Sequence, residues 1–277
     1  MPSPSEAAEI QSILTDLTTL AARDLSQMWA RINSLAPGDV RDYLLAALPD
    51  LVDPFASAAG AYTTQWYDDQ DPASKFRAKP ADQPDVEALQ ASTRWALSPL
   101  FGVGTGSPLT MLAGVTQRAI VGVSRQTVLD NVNRESGATW ARHASANACA
   151  FCAMVASRGA VYASKQSASR VTGRGKDMTL AERRARAAGQ TRIGGRMIAG
   201  GSGVTRGKQK VGDKFHDHCH CIAVPVRPGR SYEPPSYVSK WEEAYVQATK
   251  ETPGVGKYGA IDTKAVLANM RLALGTH

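Results

Sequence analysis

Hydrophobic positions in the first third of the chain recur at the three- and four-residue steps of a helix. Ile10, Ile13, Leu14, Leu17, Leu20, Ala21, Leu25, Met28, Trp29 and Ile32 share one helical face, which predicts a long amphipathic helix over residues 6–34. Pro37-Gly38-Asp39 interrupts the pattern, and Asp39 has the chemistry of an N-cap for the next helix. Val40, Leu44, Leu48, Leu51, Val52, Phe55, Tyr62 and Trp66 then carry helical spacing to about residue 68. Pro49 and Pro54 are expected to break or kink that stretch, since each removes a backbone donor. The two stretches are expected to fold as an antiparallel helical hairpin over residues 1–68, with the apolar stripe as its core.

Residues 69–83 are polar and proline-bearing and read as a linker. Long helices are expected over residues 84–138. The first spans 84–100 and ends at the turn GVGTGSP; the second opens at Pro108 with Ser107 as N-cap and runs to about Glu135. Gly102-x-Gly104 precedes no Gly-Lys-Ser/Thr phosphate signature and reads as a loop. After residue 139 the pattern changes. TWARHAS and GAVYAS suggest short strands around a turn, and IAVPV (222–226) is a β-branched run that its proline demotes to an edge strand. These segments define a small module over residues 139–230, with a Gly-, Ser- and Arg-rich insert at 163–213. The insert reads as a long excursion, and its one helical candidate is Thr179–Ala188, opening on a Thr-x-x-Glu cap. Two helices, 236–250 and 262–274, are expected within residues 231–277. The fold class is therefore α+β.

Composition adds two constraints. No apolar run approaches the ~18–20 residues of a membrane span, and MPSPSEAAEIQ lacks the basic and apolar regions of a secretory signal. The net charge of +7 conceals an uneven distribution: residues 158–214 hold fourteen Lys/Arg against three Asp/Glu, a net of +11, which leaves −4 for the rest.

The four cysteines gather at two points. Cys149-x-x-Cys152 has the spacing of a zinc knuckle, in which a tight turn aims both thiolates at one point. The second point is His216-x-x-Cys219-x-Cys221. In an extended segment Cys219 and Cys221 face one side, and His218 and His220 the other. A structural metal site, buried thiols and disulfides are all compatible with this pattern. The first would use four cysteines, or three with His216, and would close the base of the basic insert.

A nuclease is the rival reading. Asp217-His218-Cys219-His220 is similar to the Asp-His-x-His core of HNH endonucleases of the endonuclease VII type, in which the first histidine is the general base. That motif continues into a helix carrying a catalytic Asn; here the continuation is Cys221-Ile-Ala-Val-Pro-Val, an apolar strand. His143 reads as a polar helix-end or surface histidine rather than a base.

The combination ACAFCAMVASRGAVY, a basic insert and HDHCHCIAVPV resembles the phage Mu F-type head morphogenesis family. Its hallmark, a CxxC followed by His-Pro-x-Cys-Arg-Cys, falls here on Cys149, Cys152, His216, Cys219 and Cys221, with Asp217 in place of Pro and His220 in place of Arg. FRAKP and SRQTVLDNVNRE look like the actinobacteriophage branch. The resemblance implies a non-enzymatic minor capsid component with a structural zinc. Its expected partners are the portal protein and the major capsid protein or a scaffold, with no membrane. It would work in the host cytoplasm during assembly and in the interior of the virion head. There the basic insert would meet packaged DNA through Arg170, Arg174, Lys176, Arg183, Arg184, Arg186, Arg192, Arg196, Arg206, Lys208 and Lys210. These are interleaved with Gly and Ser instead of stacking aromatics, which suits phosphate contacts without base readout. An acidic protein surface is the competing partner.

Overall fold

The computed structural model describes residues 3–157, 191–193, 196–198, 220–255 and 261–276. Two compact units emerge. One comprises Glu9–Asn131 with Phe215–His220; the other comprises Met1–Ala8, Val132–Lys214 and Cys221–His277.

The first unit is helical. Helix α1 (Pro4–Ile32) buries Ile10, Leu14, Thr18, Ala21, Leu25 and Ile32 along one stripe. Leu20, expected in that stripe, is 50% exposed. At about 100° per residue it falls to one side of the line that Ala21 and Leu25 hold. Helix α2 (Pro37–Asp69) starts at Ala36, not Asp39: Ala36 is extended and Pro37 opens the first turn. Asp39 sits inside that turn, where its negative charge complements the positive end of the helix dipole.

Helix α2 also continues through Pro49 and Pro54, contrary to the break expected from sequence. Proline at 49 removes the bond to the Leu45 carbonyl, and Gln90 Nε2 of helix α3 (Val86–Ala96) donates to that carbonyl instead, at 3.0 Å. Because α2 is unbroken, it contains an 18-residue window of mean hydropathy 1.2, long and apolar enough by length and composition to cross a membrane. The expectation that no such run exists is corrected by this helix. Its buried face includes Val40, Leu44, Leu48, Val52 and Ala56, while Asp42, Asp50 and Asp53 are exposed.

After α3 comes a 3₁₀ turn (Ser98–Phe101), closed by Gly102 in the left-handed region. Helix α4 (Pro108–Arg134) follows. It is buried on most sides, which accounts for its lack of a polar face. Thr63 Oγ1 donates to Ser124 Oγ at 2.7 Å. Gly60 lets α2 approach closely, since a Cβ there would meet Val123 Cγ1 at 3.1 Å.

Residues 71–85 have no helix or strand, yet they are pinned along their length. The Ala78 N–H donates to Asp68 Oδ1 and the Ala81 N–H to Thr127 Oγ1. Asn131 grips Lys79 twice, accepting from its N–H at 2.9 Å and donating to its carbonyl at 2.7 Å. The two stretches FRAKP and SRQTVLDNVNRE are thus bonded to each other. Asn131→Ala leaves both Lys79 backbone groups without this partner and is expected to cost about 1–3 kcal/mol. Amide hydrogen exchange at Lys79 should accelerate well beyond that of the α4 backbone; unchanged exchange there would contradict this role.

The second unit is built on a two-stranded antiparallel sheet of β1 (Thr139–His143) and β4 (Ile222–Val226), paired from Thr139↔Val226 to His143↔Ile222. All five β4 positions are buried, so the strand reads as a continuous apolar run instead of alternating. A separate pair, β2 (Thr191–Ile193) and β3 (Arg196–Ile198), is also antiparallel. Helix α5 (Ala150–Ala156) packs against β1 and against α6 (Val238–Glu251) and α7 (Thr263–Leu274). Asp262 caps α7 by accepting from the Lys264 and Ala265 N–H groups. The whole is α+β, with the small sheet between N-terminal and C-terminal helices along the chain.

Candidate functional site

The elements of the second unit bring the chemically distinctive residues to the β1–β4 sheet and α5. Cys149 and Cys152 were expected on a tight turn between strands. Instead Cys149 is the N-cap residue of α5, in extended conformation, and Cys152 lies buried in its first turn. A turn closed by the Ala148 N–H to the Ser145 carbonyl feeds directly into the helix. The run ACAFCAMVA has the small and unbranched residues that allow this. Cys149 at the N-cap and Cys152 three residues on occupy the two positions whose side chains face each other across a helix's first turn.

Cys221 is buried and directly precedes Ile222, the β4 residue opposite His143. His220, on its other side, is exposed. In the helical unit, Gln11 Nε2 donates to the His220 carbonyl at 2.6 Å, and Gln117 Nε2 stands 3.2 Å from the His220 ring Nε2. Two glutamines from α1 and α4 thus fix the residue before Cys221. No sequence pattern marked them.

His143, expected at a helix end or the surface, is buried on β1 at 2% exposure. The strand is covered on both sides, so β1 offers no solvent-facing position at its last four residues. His143 Nδ1 is 3.1 Å from the Tyr232 hydroxyl. Burial lowers its pKa to about 4, so it is neutral at pH 7. Burial, and secondarily the neighbouring Tyr237, raises the Tyr232 phenol far above its ordinary value. Tyr237 is raised by burial and then by Cys221, and its hydroxyl donates to the Ala144 carbonyl at 2.8 Å. Two arginines are also enclosed. Arg142 lies over the Phe151 ring, 5.9 Å from its centroid. Arg227 Nε pairs with Glu135 Oε2 at 2.6 Å.

His143, Tyr232 and Tyr237 are hydrogen-bonded here beside the enclosed Arg142 and the Arg227–Glu135 pair, and the arrangement builds an interior. Of the expected metal ligands, Cys149, Cys152 and Cys221 fall in this unit, whereas His216 and Cys219 lie outside the described residues. Among the described residues, no group of three or more His, Cys, Asp or Glu side chains could hold a metal ion. The thiol pair at α5 has the soft donors that zinc prefers and would supply half of a tetrahedral set.

Of the expected DNA-contacting residues, Arg192 and Arg196 fall on β2 and β3, where Arg196 pairs with Ile193 and Arg192 with Met197. Residues 163–213, expected as an excursion, thus include an antiparallel strand pair. Arg170, Arg174, Lys176, Arg183, Arg184, Arg186, Arg206, Lys208 and Lys210 lie outside the described residues, as do the Thr179–Ala188 candidate, Asp217 and His218.

Residues 1–248 match a protein family described as VG15 protein. No curated protein and no solved structure matches the chain.

Proposed function

The chain belongs to the VG15 protein family, a phage-associated family, and from that premise we propose that it is a structural minor capsid protein acting in head morphogenesis. The observation that carries the proposal is the family match over residues 1–248, which includes the helical unit and both cysteine points. The finer resemblance to Mu F-type head proteins supplies the expected partners: portal, with major capsid protein or scaffold. The interior of the second unit supports an assembly role, because His143, Tyr232, Arg142 and Arg227 are enclosed in packing.

In this reading Cys149, Cys152, Cys219 and either His216 or Cys221 hold one zinc, which when bound supplies a structural crosslink and no open coordination position. Elemental analysis of reduced protein should give about one zinc per chain. Sub-stoichiometric zinc together with a Cys149–Cys152 disulfide in mass spectra would overturn the site.

The basic insert is proposed to contact packaged DNA through phosphates. Its duplex binding should be sequence-independent and should fade between roughly 50 and 200 mM salt. The experiment that separates this function from the nuclease reading uses plasmid with Mg²⁺ or Mn²⁺. Supercoiled DNA should persist; metal-dependent nicking abolished by His218→Ala would reverse the assignment.

A further inference from the structure

The α1–α2 pair leaves an open groove on the helical unit. Met28, Ala47 and Leu51 form the half-buried floor of a cleft of about 410 Å³, with Asp24 and Asp50 on its walls beside Arg31. Neither carboxylate is in an ion pair among the described residues. Tyr43, which also lines the cleft, is 47% exposed, and Leu20, one turn before Asp24, is 50% exposed. The lining positions repeat at helical steps on both helices, so the groove runs lengthwise and has the form that receives a third helix. Its charge selects the partner: residues 1–69 hold ten carboxylates against three arginines, a net of −7.

The chain itself presents a matching face. On α7, Val266 and Met270 are buried and hold the helix in its own unit. The opposite face carries Lys264, Ala268, Arg271 and Leu272, all exposed and spaced at i, i+4, i+7 and i+8. Leu272 is 83% exposed, the highest value among the large apolar side chains of the described residues. Asp262, the nearest carboxylate in sequence, is engaged as the N-cap.

We propose that α7 of one copy seats this outer face in the α1–α2 groove of a second copy. Leu272 meets the apolar floor, and Lys264 and Arg271 meet Asp24 and Asp50. The contact joins two different surfaces, so it is heterologous and propagates to a ring or an open chain. One helix face is smaller than the ~800 Å² per partner of a standard interface, so the association is weak and concentration-dependent.

Sedimentation velocity on the full chain is the test. Association should grow with concentration and weaken as salt rises. Leu272→Asp should weaken it about tenfold or more. All substituted positions are exposed, and circular dichroism checks that each variant is folded. Charge reversal separates this contact from any other self-association. D24K/D50K and K264D/R271D should each be monomeric alone, associate when mixed, and associate again when all four changes are in one chain. A chain that stays monomeric at every concentration would overturn the proposal. So would association that Leu272→Asp leaves unchanged, or reversed variants that fail to associate on mixing.

Discussion

Replacing either Glu135 or Arg227 with alanine is expected to destabilise the strand-bearing unit by about 3–5 kcal/mol. The pair is enclosed, with side-chain exposures of 9% for Glu135 and 0% for Arg227, and its atoms are 2.6 Å apart. The magnitude comes from removing one half of an enclosed charge pair, which leaves the other charge desolvated and short of this counter-charge. Replacing both residues together, as Glu135→Leu with Arg227→Met, removes the charges as well as the attraction. The double variant should therefore recover most of the loss. Urea unfolding followed by the fluorescence of the buried Trp140 and Trp241 reads the difference. A double variant as unstable as the singles would mean that shape, not charge, governs the site.

Acidification is expected to weaken the same unit through His143. Its ordinary pKa is 6.5, and burial lowers it to about 4 in the folded chain. Folding therefore favours the neutral ring. The stabilisation is fully present above pH 6.5 and is lost progressively as pH falls through 4. The difference in pKa corresponds to roughly 3 kcal/mol between those limits. His143→Gln retains a hydrogen-bonding partner for Tyr232 but cannot titrate. Its stability should be lower at pH 7 and should vary less from pH 6.5 to 4 than that of the parent chain. An equal slope in both proteins would assign the acid sensitivity to other groups.

The helices were legible in the sequence because their apolar spacing reports burial directly. The stripe from Ile10 to Ile32 and the opening of α4 at Pro108 are local signals, and these survive into the fold. The errors arose where a distant residue decided the outcome. Pro49 reads as a break until Gln90, from another helix, satisfies the carbonyl it leaves open. His143 reads as a surface residue until strand pairing with Ile222 and the Tyr232 hydroxyl enclose it. Cys149 and Cys152 were recognisable by spacing, but their setting on a helix depended on the seven-residue run that follows. Residues 71–85 carry no periodicity, because their order comes from side chains of α2 and α4 that bond their backbone.

In the proposed function this phage-family protein is a component of the head. The most direct measurement is co-expression with the portal and major capsid proteins of the same phage, followed by sedimentation of assembled heads and mass spectrometry of the head fraction. The chain should travel with the heads in fixed ratio to the portal. A chain that remains in the soluble fraction while heads of normal composition assemble would contradict the assignment.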